Sequence, residues 1–214
     1  MSNPWRSIAL SDYEKHMSLE SVMQLQSMNR SMKSQLSEYP ADTVMILGIA
    51  GGNGLEHIDR NKYCSVYAVD INADYLKAAW ERYPELHNCL ECLELDLSAE
   101  TEKLPHAGLL IANLLVEYIG YDTFKKAVLQ VKPDHVSCII QINSGEGEWV
   151  SDSPYIHVFD GLESVHRQMD ENELTRTMCE TGYELIKSSS DALPNGKSLV
   201  RLDYRAAAKT AESK

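Results

Sequence analysis

Two rhythms of apolar and polar positions alternate along this chain. Short apolar runs recur, and between them apolar residues return every three or four positions. That is the pattern of strands buried on both faces and joined by amphipathic helices. Thr43-Val44-Met45-Ile46-Leu47 is the first run, and it ends in glycines. Ser65-Val66-Tyr67-Ala68-Val69 is the second, closed by Asp70. Asn72-Ala73-Asp74 can cap a helix through Tyr75, Leu76, Ala79 and Trp80 that stops at Pro84. Residues 90–95 make a third strand ended by Asp96, and residues 109–112 a fourth followed by Asn113. Phe124, Ala127, Val128 and Val131 share one face of a helix that Pro133 terminates. Residues 135–142 form a fifth strand, and after a loop comes a helix over about 170–180, with Gly182 near its C-terminal end.

The last stretch breaks the rhythm. Residues 183–189, then Pro194-Asn195-Gly196, then 198–204, read as two strands joined by an Asn-Gly turn. So short a connection closes only an antiparallel pair. At the other end, residues 1–40 read as helical and rich in Met, Gln and Ser. Leu19, Val22, Met23, Leu25 and Met28 form a loose stripe there, and Pro40 marks a boundary because the residue before a proline leaves the helical region. The expected fold is α/β: a doubly wound, mostly parallel seven-stranded sheet, five parallel strands with crossover helices finished by an antiparallel hairpin. The expected divisions are a helical segment over 1–40, a core domain over 41–205 and a tail over 206–214.

Composition narrows the class. A chain of 214 residues suits one domain with an added segment and can bury a sizeable core. No apolar run approaches the ~20 residues that span a bilayer, and the N-terminus lacks an apolar signal core, so a cytoplasmic protein without membrane contact is expected. The net charge of −12 repels phosphate backbones and disfavours a broad nucleic-acid footprint. Cys64, Cys89, Cys92, Cys138 and Cys179 form no disulfide framework and fit a reducing compartment. Cys89-Leu-Glu-Cys92 has CxxC spacing but no second pair, so these read as ordinary thiols. The seven histidines include neither HExxH nor an i, i+4 pair, and no metal is expected.

Gly48-Ile49-Ala50-Gly51-Gly52-Asn53-Gly54 directly follows the first strand. A strand-to-helix turn with so many small residues lets backbone approach a ligand and presents amides at a helix start. It lies at the carboxyl ends of the strands, where open α/β sheets bind ligands. Asp70 falls about 22 residues past Gly48, where nucleotide-binding sheets place a carboxylate for ribose hydroxyls. A solvated turn aspartate or a helix cap is the plain alternative. Asp96 ends the third strand in the same way and should face the same crevice. A nicotinamide-dinucleotide protein would need G-x-G-x-x-G; from Gly52 the match fails at His57, and from Gly48 at Ala50 and Asn53.

The glycine-rich turn, Val69-Asp70-Ile71, Leu95-Asp96-Leu97 and the closing hairpin together resemble the class I S-adenosylmethionine-dependent methyltransferases, over about residues 42–205. The resemblance implies S-adenosylmethionine as cofactor. Gly48, Ala50, Gly52 and Asn53 would run beside its methionyl and ribose parts. Asp70 would hold the ribose hydroxyls and Ile71 would pack on the adenine. Asp96 would accept from the adenine amino group near the Leu97 amide, and Asn113 would offer its backbone carbonyl to the methionyl ammonium. Two positions depart from the family: Ile46 stands where an acidic residue is usual, and Ala50 where glycine is usual.

Methyl transfer requires alignment, exclusion of water and sometimes proton removal, because the cofactor carries the difficult chemistry. Glu117, after the fourth strand, reads either as a general base or ligand for a cationic acceptor, or as a first-turn carboxylate favoured by the helix dipole. Tyr118 beside it reads as packing. In many small-molecule members of the family the N-terminal helices form a lid, which makes Tyr13 and His16 candidates. They lie three apart on one helical face, and histidine near its usual pKa of ~6.5 accepts protons readily; a surface histidine is the plain alternative. Gln24 and Asn29 could also reach the acceptor, though nothing in the sequence singles them out. The loop over 144–166 is long and carries Trp149, Tyr155, His157 and Phe159, fit for lining an acceptor pocket or for tacking the loop down. The expected activity is methyl transfer to a small molecule, by a monomer or homodimer. Methylation of RNA or protein is the alternative, though Asn113-Leu-Leu-Val lacks an Asn-Pro-Pro-Tyr-type motif. A non-catalytic nucleotide-binding module is a third reading.

Overall fold

The computed structural model describes residues 3–143 and 149–208. The first part of the expected long loop (144–148) and most of the expected tail (209–214) lie outside the described residues. In chain order the elements are α1 (Leu10–Ser18), α2 (Gln24–Glu38), β1 (Thr43–Leu47), β2 (Ser65–Asp70), α3 (Ala73–Arg82), β3 (Leu90–Glu94) and α4 (Leu97–Glu100). Then follow β4 (Leu109–Asn113), α5 (Val116–Val131), β5 (His135–Asn143), α6 (Glu171–Glu180), β6 (Tyr183–Ala192) and β7 (Lys197–Ala206).

The seven strands form one sheet in the order β3-β2-β1-β4-β5-β7-β6. β1 through β5 run parallel, and β7 lies antiparallel between β5 and β6. Strand order reverses between β1 and β4, the switch point at which such sheets open a crevice. Register brings the strand ends level there: Leu47 sits beside Val69 and Ala112, and Asp70 beside Glu94. Whatever follows β1, β2, β3 and β4 is therefore delivered to one edge.

Side-chain alternation builds the two layers. Val44 and Ile46 of β1 face one side, where Met32 and Leu36 of α2 and Leu76 and Ala79 of α3 cover them. Met45 and Leu47 face the other side, under Phe124 and Val128 of α5 and Leu174 and Met178 of α6. Asn72 caps α3, as the sequence leads one to expect, and Asp170 caps α6.

Two expectations about connections are corrected. The glycine-rich turn does not enter an α-helix; only a 3₁₀ turn, Leu55–His57, separates it from the approach to β2. Too few residues remain before Ser65 to run a helix and return. α2 supplies the missing layer instead, packing on the sheet beside that turn. Likewise the β3–β4 crossover holds only the single turn of α4 and a 3₁₀ turn, Thr101–Lys103. The segment over 1–40 thus has two parts: α2 belongs to the core sandwich, whereas the 3₁₀ turn Pro4–Ser7 and α1 lie over the strand ends.

A buried polar network fastens α2. Gln35 and Asn113 exchange amide hydrogen bonds at 2.9 and 2.8 Å, and Gln35 Nε2 also donates to Ser137 Oγ at 2.8 Å. Ser137 donates to Asp203, which also accepts from Tyr39 Oη at 2.6 Å and pairs with Arg201 at 2.6 Å. Arg201 reaches back to Glu38 of α2 at 2.8 Å. Asp203 is wholly buried and Arg201 nearly so; each buried charge has its partner, as burial requires.

Candidate active site

The level strand ends open into a cleft whose empty space, counted out to solvent, is about 690 Å³. Gly48, Ala50, Asp70, Ile71, Asp96, Leu97 and Asn113 all line it, so seven of the nine expected cofactor residues come together. Each arrives by a local cause. Gly48 turns at φ +70, and a Cβ there would lie 3.1 Å from Leu115, so the close bend needs glycine. Asp70 ends β2 half-buried, its Oδ2 accepting the Ala50 amide and its Oδ1 the Asn72 amide, both at 2.9 Å. Desolvation raises its carboxyl, and the backbone donors at Asn72, Ala50 and Ile71 pull it back down. Asp96 caps α4 by accepting the Ser98 amide at 3.0 Å through Oδ1.

Five of the seven amides of the turn, those of Gly48 and Ala50 at the cleft among them, are already bonded within the chain. Gly48 and Ile49 donate to the Val69 carbonyl, Gly52 to Ile49, Ala50 to Asp70 and Gly54 to Glu56. The turn therefore meets the cleft with its Cα and Cβ surfaces. Gly52 stands apart from the cleft, whereas Asn53 lines a further cavity that shares Gly48, Ala50 and Asn113 with it. Gly52, at φ +84, faces Tyr83, Leu55 and Ala79, and Asn53 bonds to Leu25 O and Asn29 at 2.9 Å. Asn29, tied to Asn53, Glu56 and His57, is likewise away from the cleft, and Ile46 is core.

A second cavity, about 530 Å³, adjoins the first; Trp5, Tyr13, Leu114 and Tyr118 wall both. Glu117 and His16 line it together with Gln24, Trp149, Phe159 and His166. Glu117 is 3% exposed, which removes the reading of a surface carboxylate. Its Oε1 accepts the Gln141 amide at 2.7 Å, while Oε2 is buried without a partner. Burial pushes its carboxyl up to about 7. A break in α5 at Gly120 (φ 76, ψ 165) isolates the short turn that carries Glu117 from the rest of the helix.

His16 is 4% exposed, so it is no surface histidine. Its Nδ1 lies 2.8 Å from Ser153 Oγ and its ring 4.7 Å from that of Phe159. Burial, with Lys197 nearby, lowers the imidazole to about 4. At neutral pH it is uncharged and a weak proton acceptor, which corrects the expectation of an ordinary value. Tyr13 reaches both cavities; burial raises its phenol, with the charges of Asp70, Glu14 and Glu117 adding to the shift. The phenol is a neutral donor at any working pH.

A latch holds α1 in place. Glu14 pairs with Arg82 of α3 at 2.8 Å, and Arg82 also donates to the Gly51 carbonyl at 3.0 Å. A Cβ at Gly51 would sit 2.5 Å from both Arg82 and Glu14. Sequence reasoning missed Trp5, Tyr75 and His166. Trp5 meets Tyr118 edge-on at 4.9 Å, and its carbonyl accepts from Asn72 at 2.9 Å. His166 stacks on Trp149 at 4.0 Å, and burial lowers it to about 4. Only Trp5 had a signal, a large aromatic among polar residues beside a proline. Of the expected loop aromatics, Trp149 and Phe159 line the chamber, whereas the His157 side chain is 89% exposed. Among the described residues no three His, Cys, Asp or Glu side chains gather as a metal site, and no helix is long and apolar enough to cross a membrane.

No family model and no curated protein matches this chain. Solved structures do. Magnesium protoporphyrin IX methyltransferase from Synechocystis PCC 6803, solved with bound SAH, superposes at TM-score 0.68 with 12% identity, over 95% of this chain and 96% of that one. Geranyl diphosphate C-methyltransferase from Streptomyces coelicolor A3(2), in complex with Mg²⁺, geranyl diphosphate and S-adenosyl-L-homocysteine, gives TM-score 0.66 and 14% identity over 92% and 83%. The [4+2]-cyclase SpnF gives 0.65 and 8% over 87% and 83%. At such identities the likeness concerns the backbone, and it agrees with the strand order and the hairpin. The chain has the class I S-adenosylmethionine-dependent methyltransferase fold.

Proposed function

We propose that the protein is an S-adenosylmethionine-dependent methyltransferase acting on a small molecule held in the second cavity. The observation that carries this reading is the junction of the two cavities. One is lined by the strand-end carboxylates, the other ends on a buried carboxyl, and Tyr13 and Tyr118 wall both.

The cleft fits an adenosyl group on this chain's own atoms. The Asp70 oxygens accept the Ala50 and Asn72 amides, with the Ile71 amide also facing the carboxyl, and retain acceptor capacity for ribose hydroxyls. Val69, Ile71 and Leu97 offer apolar surface for the adenine, and Asp96 Oδ2 an acceptor for its amino group. The Tyr75 hydroxyl, buried and unpartnered on the same wall, awaits a hydrogen-bond partner. Asn113 would turn its backbone carbonyl to the methionyl ammonium, its side chain being committed to Gln35. Gly48 and Ala50 give close approach, and Gly52 and Asn53 shape the turn from behind. When bound, the cofactor supplies a methyl group on a positively charged sulfur.

The chain's remaining tasks are orientation, exclusion of water and proton handling. Trp5 and α1 close the chamber over the crevice, and Glu117 is poised to take or hold a proton at Oε2. His16 acts as an uncharged positioning group. A chamber closed by rings of the N-terminal segment, on a chain of net charge −12, favours a small acceptor over a nucleic acid. Calorimetric titration with S-adenosylmethionine and S-adenosylhomocysteine tests the reading. Micromolar binding of both is expected, and no heat at millimolar ligand sinks it.

A further inference from the structure

We propose that the acceptor taken by this chamber is an amine that enters as its ammonium ion, with Glu117 as counter-charge and proton acceptor. This rests on the methyltransferase reading given above.

Three observations point to an ammonium. First, Glu117 Oε2 is a buried carboxyl oxygen without a partner, on a wall of the cavity. A buried polar atom without a partner is costly, and one on a cavity wall is open to a partner that a ligand can bring. Second, Glu117 forms no ion pair among the described residues, and no cation offsets the desolvation that raises it. Lys197 directs its ammonium to the Trp149 carbonyl at 2.5 Å; its charge reaches His16 and His166 but does not act on Glu117. His16 and His166, both lowered to about 4, stay uncharged near pH 7, so they supply no counter-charge and do not repel a cation. Third, the walls are π surfaces, with Trp5, Tyr118, Trp149 and Phe159 around the space. Rings of this kind attract a desolvated cation. An anionic acceptor would meet Glu117 as a like charge, and a neutral one would leave its charge uncompensated.

The balance of the step follows. The ammonium R–NH₃⁺ gives one proton to Glu117 Oε2, leaving a lone pair on R–NH₂. That pair forms the N–C bond as the C–S bond of the sulfonium methyl donor breaks, its electrons remaining on sulfur as a thioether. The positive charge passes from sulfur to the product, R–NH₂⁺–CH₃. Glu117 then releases its proton to solvent when the product leaves.

The test uses the full chain saturated with S-adenosylhomocysteine, titrated at pH 8 with a panel of aliphatic and aromatic primary amines. Each amine is paired with the alcohol and the carboxylate of the same skeleton. The expected result is at least one amine bound tenfold or more tightly than its alcohol, with its carboxylate weaker still. Glu117→Gln should lose that preference while S-adenosylhomocysteine binding persists, because Glu117 does not line the adenosyl cleft. An alcohol bound as tightly as its amine across the panel overturns the inference on wild-type protein alone. So does an amine preference that survives Glu117→Gln. Failure of S-adenosylhomocysteine to bind would instead overturn the methyltransferase reading beneath it.

Discussion

The Ala50 amide donates to the Asp70 carboxylate across 2.9 Å, tying the turn after β1 to the end of β2. Ala50 holds a left-handed φ of 48, which an L residue adopts at some expense. The Asp70 bond is what compensates it. Asp70 therefore has two tasks, shaping the turn and presenting acceptors to the cleft. Asp70→Ala should weaken S-adenosylhomocysteine binding by about 1–3 kcal/mol, the range for losing a buried charged hydrogen bond. Calorimetry checks it, and unchanged affinity would remove Asp70 from the site.

The strand ends and their carboxylates were legible because β1, β2 and β4 are short apolar runs, each closed by a polar or glycine residue, and the weaker β3 is followed by Leu95-Asp96. The layer over β1 was not legible. α2 is a Gln/Ser-rich helix whose inward face includes Ser27 and Gln35 as well as Met32 and Leu36, so its apolar stripe is faint. Its attachment is polar, through Asn113, Ser137 and Asp203, and such partners lie far apart in the chain. The chamber was half legible: Glu117, Tyr13 and His16 could be named, but the burial that lowers the His16 pKa comes from Phe159 and other tertiary contacts. Trp5 and His166 enter the chamber by tertiary packing alone.

That polar attachment carries its own prediction. Gln35→Leu removes both bonds that Asn113 exchanges with Gln35 and one neighbour of Ser137, leaving the Asn113 oxygen unpartnered and its Nδ2 only the Met32 sulfur. The expected loss is about 2–4 kcal/mol, several times a surface substitution. Thermal and urea unfolding measure it. A change within about 0.5 kcal/mol, as for surface positions, would show that α2 is held by Met32 and Leu36 without the network.

Gly51→Ala acts on the latch rather than the core. Its new Cβ would displace Arg82, Glu14 and the Leu10 methyl of α1, all ends of flexible side chains, so the sheet should stay intact. A half-exposed ion pair is worth ~0–1 kcal/mol, hence a small change in Tm is expected. Amide exchange in α1 should accelerate severalfold, and acceptor binding should weaken as the chamber opens. Unaltered exchange over residues 10–18 would mean that α1 is retained by its aromatic contacts alone.

Glu117 makes a prediction about pH whose sign is opposite to that of a salt-bridged carboxylate. Burial raises its pKa from 4.5 to about 7, so between those values the native state keeps a proton that the unfolded chain has lost. Stability from this group is therefore full below about pH 4.5 and falls as pH rises to 7. The loss amounts to about 3 kcal/mol, at 1.36 kcal/mol per unit. His16 and His166 slope the other way: lowered from 6.5 to about 4, they destabilise the fold as pH drops through that window. A wild-type profile mixes the two, but Glu117→Gln removes only the first. Gln retains an oxygen for the Gln141 amide, and its own offset does not vary with pH. The variant should gain on wild type progressively from pH 5 to pH 8 in thermal melts. A difference that stays flat over that range would mean that Glu117 ionises in the native state as it does in water, and that its Oε2 is not dry.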